Sequence, residues 1–194
     1  MEGRSKSKLE GGIMTSTKKI VTAAMIAALT TITTIIIRIP SPTGGYIHPG
    51  DGVVLLSGLI LGPFWGIFAA AVGSAFTDFI GGYIVFVPAT FIIKALGAFF
   101  TMIVFNFLEY KSSKKASIKK LVISGVVGEF IIVLGYFIFE AFLFASSMTL
   151  PGILSGAIAS AASIPANCLQ AILGVAVYTA TYPAIKNIKR LNLS

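Results

Sequence analysis

Long apolar runs alternate with short polar stretches along this chain of 194 residues. An α-helix rises 1.5 Å per residue, so about 20 apolar residues cross the ~30 Å hydrocarbon core of a lipid bilayer. The pattern predicts six membrane-spanning helices, at residues 20–37, 53–61, 64–80, 88–108, 121–144 and 164–185. We therefore predict an all-α membrane protein, a six-transmembrane-helix bundle, although the second of these runs is short.

The distribution of basic residues predicts how the bundle is oriented. Thirteen of the 15 Lys and Arg residues fall in three clusters, within residues 4–19, 111–120 and 186–190. Basic residues beside membrane spans favour the cytoplasmic side, so both termini are predicted to be cytoplasmic. An even number of crossings must then precede the second cluster, which requires the short run at residues 53–61 to cross. We expect this short span to start as early as Pro49 or Asp51.

Composition supports a membrane protein. Apolar residues make up 56% of the chain and charged residues only 11%, against about 25% charged in a soluble domain, and the mean hydropathy is +0.92. The basic residues that give the chain its net charge of +8 flank the apolar runs. We therefore expect them to contact the headgroups of a lipid bilayer, and we expect no nucleic-acid partner. Residues 1–17 are predicted to form a disordered tail and residues 18–190 a single six-helix transmembrane domain.

Charged residues inside the predicted spans indicate a candidate site, because a charge in hydrocarbon is costly and marks function by default. In the fifth span Tyr136 and Glu140 share one helix face near the outer end, and Glu129 lies on that face but deeper. Asp78 and Lys94 fall at similar depths near the outer ends of their helices. We therefore expect them to pair, at about the level of Glu140.

The last apolar run, residues 153–185, is too long for one crossing. Ser163, a favourable N-cap residue followed closely by a proline, predicts that the last span starts there. Residues 150–163 are then an outer loop or a short surface helix. Asn167 and Gln170 fall in the outer two turns of the last span, level with the other polar residues.

Residues 40–50 form a loop rich in Pro and Gly, and we expect it to cover the site as a lid. It carries Tyr46 and the single histidine, His48. The candidate substrate-binding residues are therefore Tyr46, His48, Asp78, Lys94, Tyr136, Glu140, Asn167 and Gln170.

The sequence lacks several motifs of enzymes and nucleotide-binding proteins: G-x-x-x-x-G-K-[ST], H-E-x-x-H and G-x-S-x-G. With one His and one Cys, we expect no metal site, no cofactor and no enzymatic activity. A polar cup among apolar helices suits a small polar, aromatic solute. Uphill uptake would need energy from another subunit or from an ion gradient.

Five stretches carry a resemblance to a known family. In chain order they are AAMIAA at 23–28, HPGDGVVLLSGLILGPFWG at 48–66, VPATFIIKALGAF at 87–99, GYFIFEAF at 135–142 and IPANCLQAILG at 164–174. In this order and spacing the chain resembles the substrate-binding S component of an energy-coupling factor (ECF) vitamin transporter. The similarity is greatest to the branch with riboflavin, hydroxymethylpyrimidine and pyridoxine-type S components.

The resemblance implies a protein of the cell membrane of a prokaryote that binds a vitamin at its outer face. It implies docking through small residues of the first helix onto a transmembrane coupling protein, which is driven by two cytoplasmic ATPases. The small residues are Ala23 and Ala27, or Ala24 and Ala28. By the same resemblance, residues 44–50 form a gating loop and the pocket is lined by Lys94, Glu140, Asn167 and Gln170. Glu129 matches no family role.

The candidate residues favour one vitamin class. A carboxylate beside amides can accept hydrogen bonds from an aminopyrimidine or from pyridine hydroxymethyl groups, and Tyr136 can stack on a ring. We therefore favour a hydroxymethylpyrimidine or pyridoxine type of ligand over riboflavin. Two alternatives stay open: a self-sufficient carrier with Glu129 and Glu140 as ion or proton relays, and a membrane enzyme or scaffold.

Overall fold

The computed structural model describes residues 16–40, 45–111 and 117–191, without the side chains of Ser16 and residues 186–191. Its elements are α1 (Ser16–Ile36), β1 (Ile39–Pro40), β2 (Tyr46–Ile47), α2 (Gly50–Ile80), α3 (Val87–Tyr110), α4 (Ile118–Leu143), α5 (Leu150–Ala161) and α6 (Ile164–Leu191). The tail predicted at residues 1–17 lies outside the described residues except for Ser16 and Thr17, which begin α1.

Helix α2 is a hairpin of two helical arms. Gly62, with φ 81° and ψ −173°, interrupts the helix and is followed by Pro63. A Cβ on Gly66 would collide with the Ser57 carbonyl group, whereas nine residues of a straight helix span about 13 Å. The chain therefore reverses at Gly62, into a short arm at residues 50–61 and a long arm at residues 63–80.

The short arm crosses because it begins inside the bundle. Its second residue, Asp51, contacts Lys94, which lies about 10 Å along α3 from the start of that helix. Twelve residues add about 18 Å, so the tip at Gly62 lies about 28 Å from the end of the bundle where α3 starts. The depth at which the arm starts therefore accounts for its short length.

The helices pack closely through small residues. Gly73 of the long arm lies against the Ala27 backbone of α1, where an added Cβ would come within 2.5 Å of the Ala27 carbonyl oxygen. Gly128 of α4 lies against the Gly97 backbone of α3, where an added Cβ would come 3.0 Å from the Gly97 carbonyl oxygen. Such close contacts are typical of membrane helices. Their association gains little from burying apolar side chains, because the surrounding lipid is itself apolar. The prediction of a six-helix bundle is confirmed, with the two arms of α2 counted separately.

The two ends of the bundle differ in charge. Basic residues lie at one end: Lys18 and Lys19 in the first turn of α1, Lys111 after α3, and Lys119 and Lys120 in the first turn of α4. The loop with β1 and β2 lies at the other end. The short helix α5 crosses that end and packs against α4, where Gly156 contacts Ala141. Because basic residues favour the cytoplasm, we take the end with the loop as the outer end.

Replacement of Gly62 tests the hairpin. The φ and ψ of Gly62 lie in a region essentially restricted to glycine, and a side chain there costs on the order of 1–3 kcal/mol. We expect Gly62→Ala to lower the thermal unfolding midpoint of detergent-solubilised protein by several degrees. Gly45→Ala is the matched control, because a Cβ at Gly45 meets open space and φ there is not positive. Equal midpoints for the two variants would contradict the hairpin geometry.

Candidate functional site

A cavity of about 70 Å³ opens at the outer end of the bundle. Its walls come from the ends of α1 and of the long arm of α2, from the outer turns of α3, α4 and α6, and from the loop before α2. All eight residues proposed from the sequence line it: Tyr46, His48, Asp78, Lys94, Tyr136, Glu140, Asn167 and Gln170. The structure thus brings together residues spread over more than 120 positions of the chain, and their role in binding stays a prediction.

A buried ion pair lies beneath this cavity, and its Lys94 side contributes to the lining. The ammonium group of Lys94 lies 2.5 Å from Asp51 Oδ1, and the two side chains are 2% and 0% exposed. Gln170 Nε2 donates to Asp51 Oδ2 over 2.7 Å. The expected pairing of Lys94 with Asp78 is therefore wrong. It assumed that the short arm starts at the membrane surface, whereas the arm starts at the depth of Lys94.

Asp78 has neutral partners instead. Its Oδ1 accepts a 2.6 Å hydrogen bond from the Tyr46 hydroxyl, and its Oδ2 accepts a 2.5 Å bond from Thr90. Because the Thr90 hydroxyl has a single proton, the Tyr136 hydroxyl must donate to Thr90 over 2.9 Å. This chain connects the loop, α2, α3 and α4. The Tyr136 ring also lies beneath Lys94, whose Nζ is 5.2 Å from the ring centroid.

The loop is held over the cavity by a short antiparallel pair of strands and by stacking. Ile39 pairs with Ile47 and Pro40 with Tyr46. The Arg38 guanidinium lies 4.3 Å from the centroid of the Tyr46 ring. Burial, together with the nearby Asp78 carboxylate, raises the pKa of Tyr46 well above its usual value, so its hydroxyl stays protonated as a donor.

His48 is a buried, neutral member of the loop. Its Nδ1 lies 3.3 Å from Thr34 Oγ1. Because Thr34 donates its single proton to the Thr30 carbonyl, His48 Nδ1 must be the donor to Thr34. Burial lowers the pKa of His48 to about 4, with Lys94 and Arg38 also opposing its protonation and Asp51 favouring it. The imidazole is therefore uncharged at neutral pH.

The remaining cavity residues have weaker protein contacts. Glu140 is buried, and its Oε2 lies 3.3 Å from the Ser160 hydroxyl at the end of α5. Asn167 is half-buried at the cavity wall, one helical turn after the start of α6. Both side chains keep hydrogen-bonding capacity that a ligand can use.

Glu129 lies deeper than the cavity and outside its lining. Its carboxylate packs against Gly174 of α6, close to the Cβ of Asp51. Both of its carboxylate oxygens are buried and lack a hydrogen-bond partner among the described residues. The predicted shared face of Glu129 and Glu140 thus does not place both groups in one site.

The alanines of α1 divide into two faces. Ala23 is buried and Ala27 half-buried against the long arm of α2, whereas Ala24 and Ala28 are exposed. Of the two pairs left open by the sequence, only the Ala24 and Ala28 pair presents its side chains outside the bundle.

Several cavity residues were missed by sequence reasoning. They are Thr34, Gly45, Ser74, Tyr83, Phe86 and Thr90. Small hydroxyl residues are common in membrane helices because they can bond their own helix, so they carried no signal. Asp51 gave a signal, as an acid next to a short apolar run. Within residues 16–40, 45–111 and 117–191, no group of three His, Cys, Asp or Glu side chains is placed to hold a metal ion.

Comparisons with known proteins agree with this geometry. A family model described as "ECF-type riboflavin transporter, S component" matches residues 14–189. A Pyrococcus woesei protein described as "Uncharacterized protein in gap 3'region" is 33% identical over 107 residues, which cover 55% of this chain and 67% of that protein. A solved structure described as "Structure and mechanism of the S component of a bacterial ECF transporter" superposes on 90% of this chain and 98% of its own, with a TM-score of 0.62 and 20% identity, and it shows the same fold.

The buried imidazole predicts a pH dependence of stability. Because the pKa of His48 is about 4 in the folded protein and ~6.5 when unfolded, the unfolded state takes up the proton first as the pH falls. His48 therefore reduces stability progressively from pH 6.5 to pH 4, by on the order of 3 kcal/mol in total. We expect the unfolding midpoint of His48→Gln to fall less than that of the wild type between pH 7 and pH 4.5. Parallel curves would contradict this, because they would show that His48 has the same pKa in the folded and the unfolded protein.

Proposed function

The chain belongs to the ECF-type riboflavin transporter S component family, and from this premise we propose that it binds a small water-soluble vitamin in the outer cavity and delivers it inward. The resemblance found in the sequence is thereby confirmed. The family consists of substrate-binding components of transporters rather than enzymes, and the apolar helices make this chain a membrane protein. The proposed location is the plasma membrane of a prokaryote.

The observation that carries the proposal is the convergence of polar side chains on one cavity beneath a loop. Side chains from α2, α3, α4 and α6 meet there inside an apolar bundle. A small concave site with a few convergent polar groups is the usual form of a small-molecule site. The Tyr46 bond to Asp78 ties the loop to the long arm of α2 beside this cavity.

We propose a single-ring vitamin or precursor of the hydroxymethylpyrimidine or pyridoxine type. This is supported by the Tyr136 ring at the wall and by Glu140 and Asn167 as partners for ring substituents. Riboflavin is the second candidate, and the description of the family favours it. Native mass spectrometry of gently purified protein, followed by titration calorimetry with pyridoxine, hydroxymethylpyrimidine and riboflavin, decides between them.

Replacement of Glu140 tests the site. A hydrogen bond from a ligand to a carboxylate contributes about 1.5–3 kcal/mol, so we expect Glu140→Ala to weaken vitamin binding about 10- to 100-fold. Glu109→Ala is the matched control, because Glu109 lies at the opposite end of the bundle beside Lys120. Equal affinities for both variants in calorimetry would remove Glu140 from the site.

We propose that a transmembrane coupling protein, driven by two cytoplasmic ATPases, docks on the face of α1 that points away from the other helices. This is supported by the exposure of Ala24 and Ala28, whose small side chains allow close approach of another helix. The inner pair, Ala23 and Ala27, packs against α2 and is not free for a partner.

Bulky substitution on α1 tests this docking face. We expect Ala28→Trp to preserve vitamin binding and to abolish vitamin uptake by cells that express the coupling protein and ATPases. Leu29→Trp is the control, because Leu29 is also exposed but points about 100° away from Ala28. Normal uptake by the Ala28 variant would exclude this face. Uptake into liposomes by the chain alone, driven by an ion gradient, would instead support a self-sufficient carrier.

A further inference from the structure

We propose that Asp51 is a specificity-determining residue: by neutralising Lys94 it leaves the cavity with an excess of negative charge, so that the site accepts neutral or cationic ligands and rejects phosphorylated ones. This inference rests on the proposed function and concerns the chemical form of the vitamin. It is drawn from the partners of each charged group around the cavity.

The positive charge in the cavity wall is already compensated. Among the described residues that line the cavity, Lys94 is the one with a permanent positive charge. Its ammonium group is paired with Asp51, which is completely buried and is held from its other side by Gln170. Asp51 itself does not line the cavity. A ligand therefore meets Lys94 as one half of a neutral pair.

The negative charges in the wall are not compensated in this way. Asp78 accepts hydrogen bonds from the hydroxyl groups of Tyr46 and Thr90, and Glu140 lies beside the Ser160 hydroxyl. Neutral donors stabilise a carboxylate without cancelling its charge. His48, also in the wall, is uncharged at neutral pH, because the pKa of this buried ring is about 4.

A further positive group, Arg38, is not among the residues that line the cavity. Its guanidinium lies over the Tyr46 ring of the loop. It can offset part of the charge of Asp78, which shares Tyr46 as a partner, whereas Glu140 lies on a different helix, α4. The wall thus remains negative on the α4 side.

A phosphate ester carries a charge of about −1.5 to −2 near neutral pH. At about 6 Å from one carboxylate, in a site of effective dielectric constant ~20, repulsion of one unit charge corresponds to roughly a 100-fold loss of affinity. The parent alcohol or amine has no such penalty, and its hydroxyl or amino hydrogens can be donated to Asp78 or Glu140.

The experiment compares each vitamin with its phosphate ester. We expect calorimetry at pH 7.5, with the full chain in lipid nanodiscs, to give an affinity for pyridoxine at least about 100-fold higher than for pyridoxine 5′-phosphate, and likewise for hydroxymethylpyrimidine and its phosphate. Asp51→Asn keeps the shape and the amide contact to Gln170 but unmasks Lys94. It should reduce this ratio about tenfold or more by strengthening phosphate binding.

Two further variants keep the test decisive. Glu140→Gln removes a wall charge without touching the ion pair and should also reduce the ratio, even if Asp51→Asn fails to fold. Glu109→Gln removes an acid at the far end and should leave the ratio unchanged. Equal binding of alcohol and ester by the wild type overturns the inference, and so does a ratio unchanged in both cavity variants, since size would then explain the exclusion. Binding of neither form overturns the proposed function itself.

Discussion

The buried ion pair between Lys94 and Asp51 is the interaction on which the rest of the structure depends. It joins the start of the short arm of α2 to α3, and Gln170 adds α6 to the same point. Such pairs contribute little net stability, but leaving one partner alone costs about 3–5 kcal/mol, so both must be kept together. The pair therefore fixes the depth at which the short arm begins. That depth sets the base of the cavity above it and allows a 12-residue arm to traverse the bundle below it.

How far the sequence predicts this fold depends on which physical signal each element carries. Basic residues favour the cytoplasmic side, so the cluster at residues 111–120 predicted that residues 53–61 cross the membrane. This prediction was correct, although the run is shorter than a usual membrane span. The partner of Lys94 could not be found in this way. The position of a residue along its helix gives its depth in the membrane only if the helix starts at the membrane surface. The short arm instead starts inside the protein, after a loop that lines a cavity. Irregular backbone is tolerated at such a depth only where it is enclosed by protein or lines a cavity.

The candidate site was predictable from those polar residues whose placement in an apolar run is energetically unfavourable. Charges and amides in apolar runs, such as Glu140 and Gln170, stand out because hydrocarbon penalises them, and all eight proposed residues line one cavity. Thr90 and Thr34 do not stand out, because a hydroxyl can bond its own helix. Thr34 does so through the Thr30 carbonyl, but Thr90 turns to Asp78 instead. Only three-dimensional packing distinguishes these two uses of the same side chain.

Helix α1 connects the two ends of the proposed transport function. On one face Thr31 donates to the Gly73 carbonyl over 2.8 Å, which fixes α1 to the long arm of α2, the arm that carries Asp78. Its outer turn contacts the loop through Thr34 and His48, and its opposite face exposes Ala24 and Ala28. A partner that tilts or shifts α1 must therefore move the anchor of the loop relative to the cavity wall, because packed helices shift as units rather than deforming continuously. The proposed docking on α1 and any movement of the loop would consequently act on connected contacts, which include the bond from Tyr46 of the loop to Asp78 of the long arm.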